Sequence, residues 1–137
     1  MATLNPYLNF DGVAAEAMEF YHAVLGGELQ SNSFGELGMS DDPAQADKIM
    51  HAQLETPSGF VLMGADVPPG VTHQVGTNVS ISISGDDEEQ LRGWFDALSE
   101  GGTPGVPFEQ APWGDVFGMF TDRYGIGWLV NAVKSGG

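Results

Sequence analysis

The chain carries the same pattern of elements twice, and this internal repeat limits its fold more than any other feature. Residues 4–10, Leu-Asn-Pro-Tyr-Leu-Asn-Phe, alternate in the manner of a strand, and Asp11-Gly12 marks a turn. From Ala14 to Leu25 the apolar residues fall at helical spacing, with Ala17, Phe20, Tyr21 and Val24 on one stripe, before Gly26-Gly27 ends the run. The second half repeats the order. Residues 78–84, Asn-Val-Ser-Ile-Ser-Ile-Ser, alternate as a half-buried strand, and Gly85-Asp86-Asp87 supplies a turn and an N-cap. A helix carrying Leu91, Trp94, Phe95 and Leu98 follows to about Ser99, and Gly101-Gly102 closes it. Asn5 and Asn78, Glu16 and Glu89, and Tyr21 and Trp94 each lie 73 residues apart, while the two glycine pairs lie 75 apart.

Three strand-like runs follow each helix: 28–37, 48–55 and 59–65 in the first half, then 106–110, 116–122 and 127–133 in the second. Pro57-Ser58-Gly59 and Arg123-Tyr124-Gly125 read as tight turns. Residues 38–47 read as a loop or a short helical turn. The result is a βαβββ unit written twice, an α+β class: a first module over about 1–66, a connector at 67–76 and a second module over about 77–137 of one domain. Each unit has one helix stripe to bury on one sheet face, so the remaining sheet faces are expected to form an inter-module cleft for a ligand.

Charge and cysteine content narrow the chemistry. Nineteen acidic residues face four Lys and Arg, a net charge of −15. Such a surface repels phosphate backbones and anionic lipid, so neither nucleic acid nor a membrane is expected as a partner. The acidic residues divide evenly, ten in 1–70 and nine in 71–137, which weakens the reading of a concentrated docking patch. Without cysteine there is no disulfide, thiolate catalysis or sulfur-ligated zinc. The first residues show no basic or apolar signal segment, and the expected location is the cytoplasm.

Several runs together resemble the PhnB-like branch of the glyoxalase/bleomycin resistance/dioxygenase (vicinal oxygen chelate) superfamily. They are Pro6-Tyr7-Leu8-Asn9-Phe10-Asp11-Gly12, Glu16-Ala17-Met18-Glu19-Phe20-Tyr21, Lys48-Ile49-Met50-His51-Ala52, Leu62-Met63-Gly64-Ala65-Asp66, Trp113-Gly114, Thr121-Asp122-Arg123-Tyr124-Gly125 and Trp128-Leu129-Val130-Asn131. The resemblance spans nearly the whole chain. It implies two βαβββ modules in a curved eight-stranded mixed sheet, assembled as a homodimer. It also implies a choice of activities: metal-dependent isomerases, ring-cleaving dioxygenases, antibiotic-inactivating transferases and metal-free drug-binding proteins. PhnB-like proteins are often labelled methyltransferases, but an adenosylmethionine site is built on a glycine-rich turn from strand to helix. Here Gly125-Ile126-Gly127 leads into a strand.

In metal-using members of the superfamily, His and Glu on the first and last strand of each module converge on one ion. Carried over residue by residue, those positions fall on Asn5 (Pro6 with a one-residue shift), Met63 (or Leu62), Asn78 and Leu129. None is a His or Glu, and amide, thioether and aliphatic side chains are poor partners for a divalent metal. No metal or other cofactor is therefore expected.

Among the histidines, His22 sits on the first helix and His73 in the connector. His51 alternates with Ile49 and Gln53, opposite Met50, Ala52 and Leu54, which places it on the cleft side. It is either satisfied by a neighbouring strand or available to a ligand, where an imidazole suits proton transfer or a hydrogen bond. Tyr7 shares a face with Asn5 and Asn9, and Trp113 and Phe117 are apolar candidates for the same cleft. The ligand-binding candidates are thus Asn5, Tyr7, His51, Met63, Asn78, Trp113, Phe117 and Leu129. The expected function is metal-free binding of a small molecule. The alternatives are a glyoxalase-type isomerase or lyase using His51 or Glu36 as a base, or a metal-dependent dioxygenase with atypical ligands.

Overall fold

A computed structural model describes residues 2, 4–36, 38, 46–68 and 71–134. The chain divides into two compact units, Met1–Gln74 and Val75–Gly137.

In the first unit β1 (Tyr7–Phe10), α1 (Ala14–Leu25), β2 (Glu28–Ser33), β3 (Ile49–Glu55) and β4 (Val61–Asp66) follow in order. They form a four-stranded sheet ordered β1-β4-β3-β2, in which β1 and β4 are parallel and the other pairs antiparallel. The second unit repeats this with β5 (Ile81–Gly85), α2 (Glu88–Ser99), β6 (Thr103–Gln110), β7 (Val116–Thr121) and β8 (Gly127–Ala132). Its sheet is ordered β5-β8-β7-β6, with β5 and β8 the parallel pair. The α+β class and the doubled βαβββ order expected from the sequence are both present, as two four-stranded mixed sheets with one helix each. The expected loop at 38–47 falls largely outside the described residues, as do Leu37 at the end of the 28–37 run and Pro69-Gly70 in the connector.

Each helix buries its apolar side on one face of its sheet. Ala14, Ala17, Met18, Tyr21 and Leu25 of α1 are buried, along with Phe10, Ala52, Leu54 and Leu62 from the strands. The stripe lies slightly round from the expected one, since Phe20 and Val24 are only half-buried and Met18 takes the inner place. In the second unit Leu91 and Leu98 of α2 are buried with Ile83, Phe108, Phe120, Trp128 and Val130. Phe95 stacks on Phe108 at 5.3 Å between ring centroids and meets the edge of Phe120 at 5.0 Å. Both helices have 12 residues and begin 74 apart, so Tyr21 corresponds to Phe95 rather than to Trp94.

The glycine pairs have a steric cause. A Cβ on Gly27 would lie 2.0 Å from the Glu55 carbonyl oxygen, and one on Gly102 would lie 2.2 Å from that of Thr121. Each glycine lets the chain leaving a helix pass against the end of a central strand, where no side chain fits.

The expected alternation of β3 holds over most of its length. Ala52 and Leu54 face α1, while His51 and Gln53 face away. It fails at the start. The β2–β3 register shifts between Asn32 and Ser33, so that Asn32 pairs with His51 and Ser33 with Ile49. The extra residue, Met50, is left half-exposed and Ile49 becomes buried, reversing their expected sides.

Candidate functional site

The faces turned away from the helices carry the candidate chemistry. In the first unit the register places Tyr7, Met63, Gln53 and Gln30 in one row across the sheet, and Asn32 beside His51. The Tyr7 and His51 rings lie 5.9 Å apart with a 32° tilt, reaching towards each other across β4. Three expected site residues, Tyr7, His51 and Met63, therefore share one helix-free face. Asn9 lies on it too, and its backbone carbonyl is contacted by His73 Nε2 at 3.1 Å. His22 contacts the Gly27 carbonyl at 2.9 Å and is part of the helix end. Glu36 accepts from the Ser33 N–H, and the Ser33 hydroxyl accepts from the Glu36 N–H in return, so this carboxylate closes an exposed turn.

Asn5 and Asn78 lie outside the strands where the sequence had put them. The first strand begins at Tyr7, just past Pro6, whose carbonyl accepts from the Met63 N–H. The fifth begins at Ile81, opposite Trp128, because its parallel partner β8 starts only at Gly127. Asn78, Val79 and Ser80 are exposed ahead of it. The residues that the register sets opposite Met63 and Leu129 are Tyr7 and Ser82, 75 residues apart.

A divalent cation is held by imidazole, carboxylate or thiolate donors. Tyr7, Met63, Ser82 and Leu129 offer a phenol, a thioether, a hydroxyl and an alkyl group. Among the described residues, no group of three or more His, Asp or Glu is placed to hold a metal ion. The residues do not fit such an ion.

The second unit's helix-free face mixes apolar and aromatic residues with polar ones. Ser82, Leu129, Met119 and Val106 form one row, and Ser84, Asn131, Phe117 and Glu109 the next. Trp113 stands in the turn between β6 and β7 and is 62% exposed. Its ring meets that of Phe117 at 5.3 Å and 64°, an edge-on contact. The turn is closed by the Ala111 N–H donating to the Asp115 carbonyl and the Gly114 N–H to that of Ala111, with Gly114 at φ 106°.

Asp115 and Asn131 were not among the residues expected at the site. Asp115 Oδ1 accepts from the Lys134 N–H and Oδ2 from Asn131 Nδ2, both at 3.1 Å. The Lys134 backbone N–H first, then the Asn131 amide and last the Trp113 indole hold the Asp115 carboxyl below its usual range against an opposing effect of burial. The strand phase gave a signal for Asn131, since it shares the side of Leu129. For Asp115 the only signal was its place in the turn beside Trp113.

The buried carboxylates have a different task. Asp122, 3% exposed, accepts from the backbone N–H groups of Tyr124 and Ile126 and from the Trp128 indole. Arg123 donates from Nε and Nη2 to the Glu100 carbonyl. Both groups hold the turn before β8 in place.

Comparison with known proteins agrees with this architecture. The chain is 28% identical to the protein YjdN of Escherichia coli (strain K12) over 142 residues, covering 96% of this chain and 95% of the relative. The solved protein PA1353 from Pseudomonas aeruginosa superposes with a TM-score of 0.83 at 39% identity, covering 98% of this chain and 100% of that one. A PhnB protein from Bacillus cereus shares the fold at a TM-score of 0.75 and 24% identity, covering 96% and 100%. The family model of the glyoxalase/bleomycin resistance protein/dioxygenase superfamily matches residues 3–130. With its doubled βαβββ order and this match over most of its length, the chain belongs to the glyoxalase/bleomycin resistance protein/dioxygenase superfamily.

Proposed function

We propose that this protein binds a small molecule, without a metal, on the helix-free faces of its sheets. The observation that carries the reading is the aromatic corner of the second unit. There Trp113 and Phe117 stand with Met119 and Leu129 on a face that leaves them partly or largely exposed. Aromatic and thioether side chains of this kind supply dispersion and shape to a ligand while the strands hold them in place. The donor chemistry opposite Met63 and Leu129 supports a metal-free mode. Gly125 and Gly127 lead into β8 and not into a helix, so this glycine pair does not make the strand-to-helix turn of a methyltransferase.

A thermal-shift screen over neutral aromatic, aliphatic and polar compounds tests the reading. At least one class should raise the melting temperature in proportion to the logarithm of its concentration. A flat response across the whole panel overturns the proposal.

The first unit favours a second reading. In that reading His51, with the Tyr7 ring 5.9 Å away, is the base or hydrogen-bonding group of an isomerase or lyase of the glyoxalase type. Turnover that disappears in His51→Gln while ligand binding survives would select it. We also read the protein as a cytoplasmic homodimer, as its resemblance to PhnB-like proteins implies. Among the described residues no helix is long and apolar enough to cross a membrane, and the chain has no cysteine calling for an oxidising compartment. Light scattering coupled to size exclusion checks the dimer.

A further inference from the structure

We infer that the helix-free face of the second unit selects a neutral aromatic molecule bearing an N–H or O–H donor, with its ring against Trp113 and Phe117 and its donor on the Asn131 side-chain oxygen. This inference rests on the binding function proposed above and narrows its ligand.

The orientation of the Asn131 amide carries it. An ionised carboxylate offers only lone pairs, so the atom 3.1 Å from Asp115 Oδ2 must be the amide nitrogen. That leaves Oδ1 as an acceptor, and among the described residues no hydrogen bond to it is made. The strand ladder sets Asn131 between Ser84 and Phe117, on the same face as Leu129. Asp115 is itself occupied by the Lys134 N–H and the Asn131 amide, so it fixes the amide rather than competing for the ligand. Trp113 and Phe117 cross edge-on, leaving ring faces for a third aromatic group.

The charge of the ligand follows from the surroundings. Glu109 pairs with Phe117 across the strands, Asp115 lies beside Asn131, and the chain carries −15 overall, so an aromatic anion is repelled. A ligand without a donor would cover the Asn131 oxygen and leave it unpaired. Sites built to meet a polar group discriminate strongly for that reason.

Isothermal titration of the full chain with indole, N-methylindole and benzoate tests this directly. Indole and N-methylindole have nearly the same ring and differ in the donor. Indole should bind about ten times more tightly than N-methylindole, and benzoate more weakly than both. Asn131→Leu should bring the two indoles to equal affinity, and Trp113→Ala, at an exposed turn position, should weaken both. If wild-type protein binds N-methylindole as tightly as indole, the inference falls while the binding function stands. If no indole binds but the thermal-shift panel gives another ligand, the inference again falls alone. If both experiments are silent, both readings fall together.

Discussion

Helix α1 is preceded by Val13, which has no side chain able to cap it, whereas α2 is preceded by Asp87, whose carboxylate accepts from the Gln90 N–H at 3.1 Å. The first unit makes up the difference from far along the chain. Asp66, at the end of β4 and 3% exposed, accepts from the Ala14 N–H with Oδ1 and the Ile49 N–H with Oδ2, both at 2.9 Å. One buried carboxylate thus satisfies an unpaired helix donor and fixes the start of β3, the strand that carries His51. In the second unit the corresponding strand ends in Ala132, and the buried carboxylate is Asp122, before the strand rather than at its end. The same topology leaves one set of helix and turn donors to be paired in each copy, and each copy has found its own acceptor.

The faces differ as well. Around Met63 the first unit's helix-free face carries Tyr7, Asn9, Gln30, Asn32, His51 and Gln53, while the second unit's sets Met119, Leu129, Phe117 and Val106 among Ser82, Ser84, Asn131 and Glu109. A repeat fixes the backbone once, and the outward alternate positions are then free to diverge because no core packing constrains them.

The strongest test concerns what the two units share. Gly27→Ala and Gly102→Ala each drive a methyl group into a strand carbonyl. Each should cost more than about 3 kcal/mol or prevent folding, as read by urea denaturation with circular dichroism. A tolerated alanine at either place would break the equivalence of the glycine pairs. Next come the buried carboxylates. Asp122→Ala strands three N–H donors and should cost about 3–4 kcal/mol, more than the about 2–3 kcal/mol expected for Asp66→Ala, which strands two. Equal losses would mean that the stranded donors find other partners. The local cap is a smaller matter: Asp87→Ala should lower stability by about 1 kcal/mol, since the site is exposed and a single donor is released.

The smallest effect is electrostatic and belongs to the second unit. Glu88, beside Lys134 and then Arg92, and Asp115, beside Lys134, Asn131 and Trp113, both have lowered pKa values. A carboxyl that binds its proton less tightly when folded stabilises the fold above its unfolded pKa and loses that contribution as the pH falls through the folded value. The stability difference between the wild type and Asp115→Asn should therefore be full near pH 6 and shrink below about pH 4, as followed by urea midpoints across that range. A difference that grows in acid would reverse the sign and remove Asp115 as an ionised anchor.

Much of this was legible in the chain itself. The apolar spacing between Ala14 and Leu25 and the glycines after it gave the first helix its bounds, because period and breaker are local properties. His51 and Gln53 were placed on the correct side of their strand by alternation alone. The β2–β3 bulge was not legible, since it depends on pairing with a strand many residues away, and it reversed Ile49 and Met50. Asn5 and Asn78 match in sequence yet lie outside the strands, because a strand extends only as far as its partner does.

By itself, then, the sequence determined the doubled βαβββ plan, the superfamily and the absence of cysteine chemistry, since all three rest on residue type and on order along the chain. Register, bulge and the partners of Asp66, Asp115 and Asp122 were decided by tertiary structure. A carboxylate's neighbours come from segments up to 52 residues away in the case of Asp66 and Ala14, and no local pattern encodes which buried N–H it will meet.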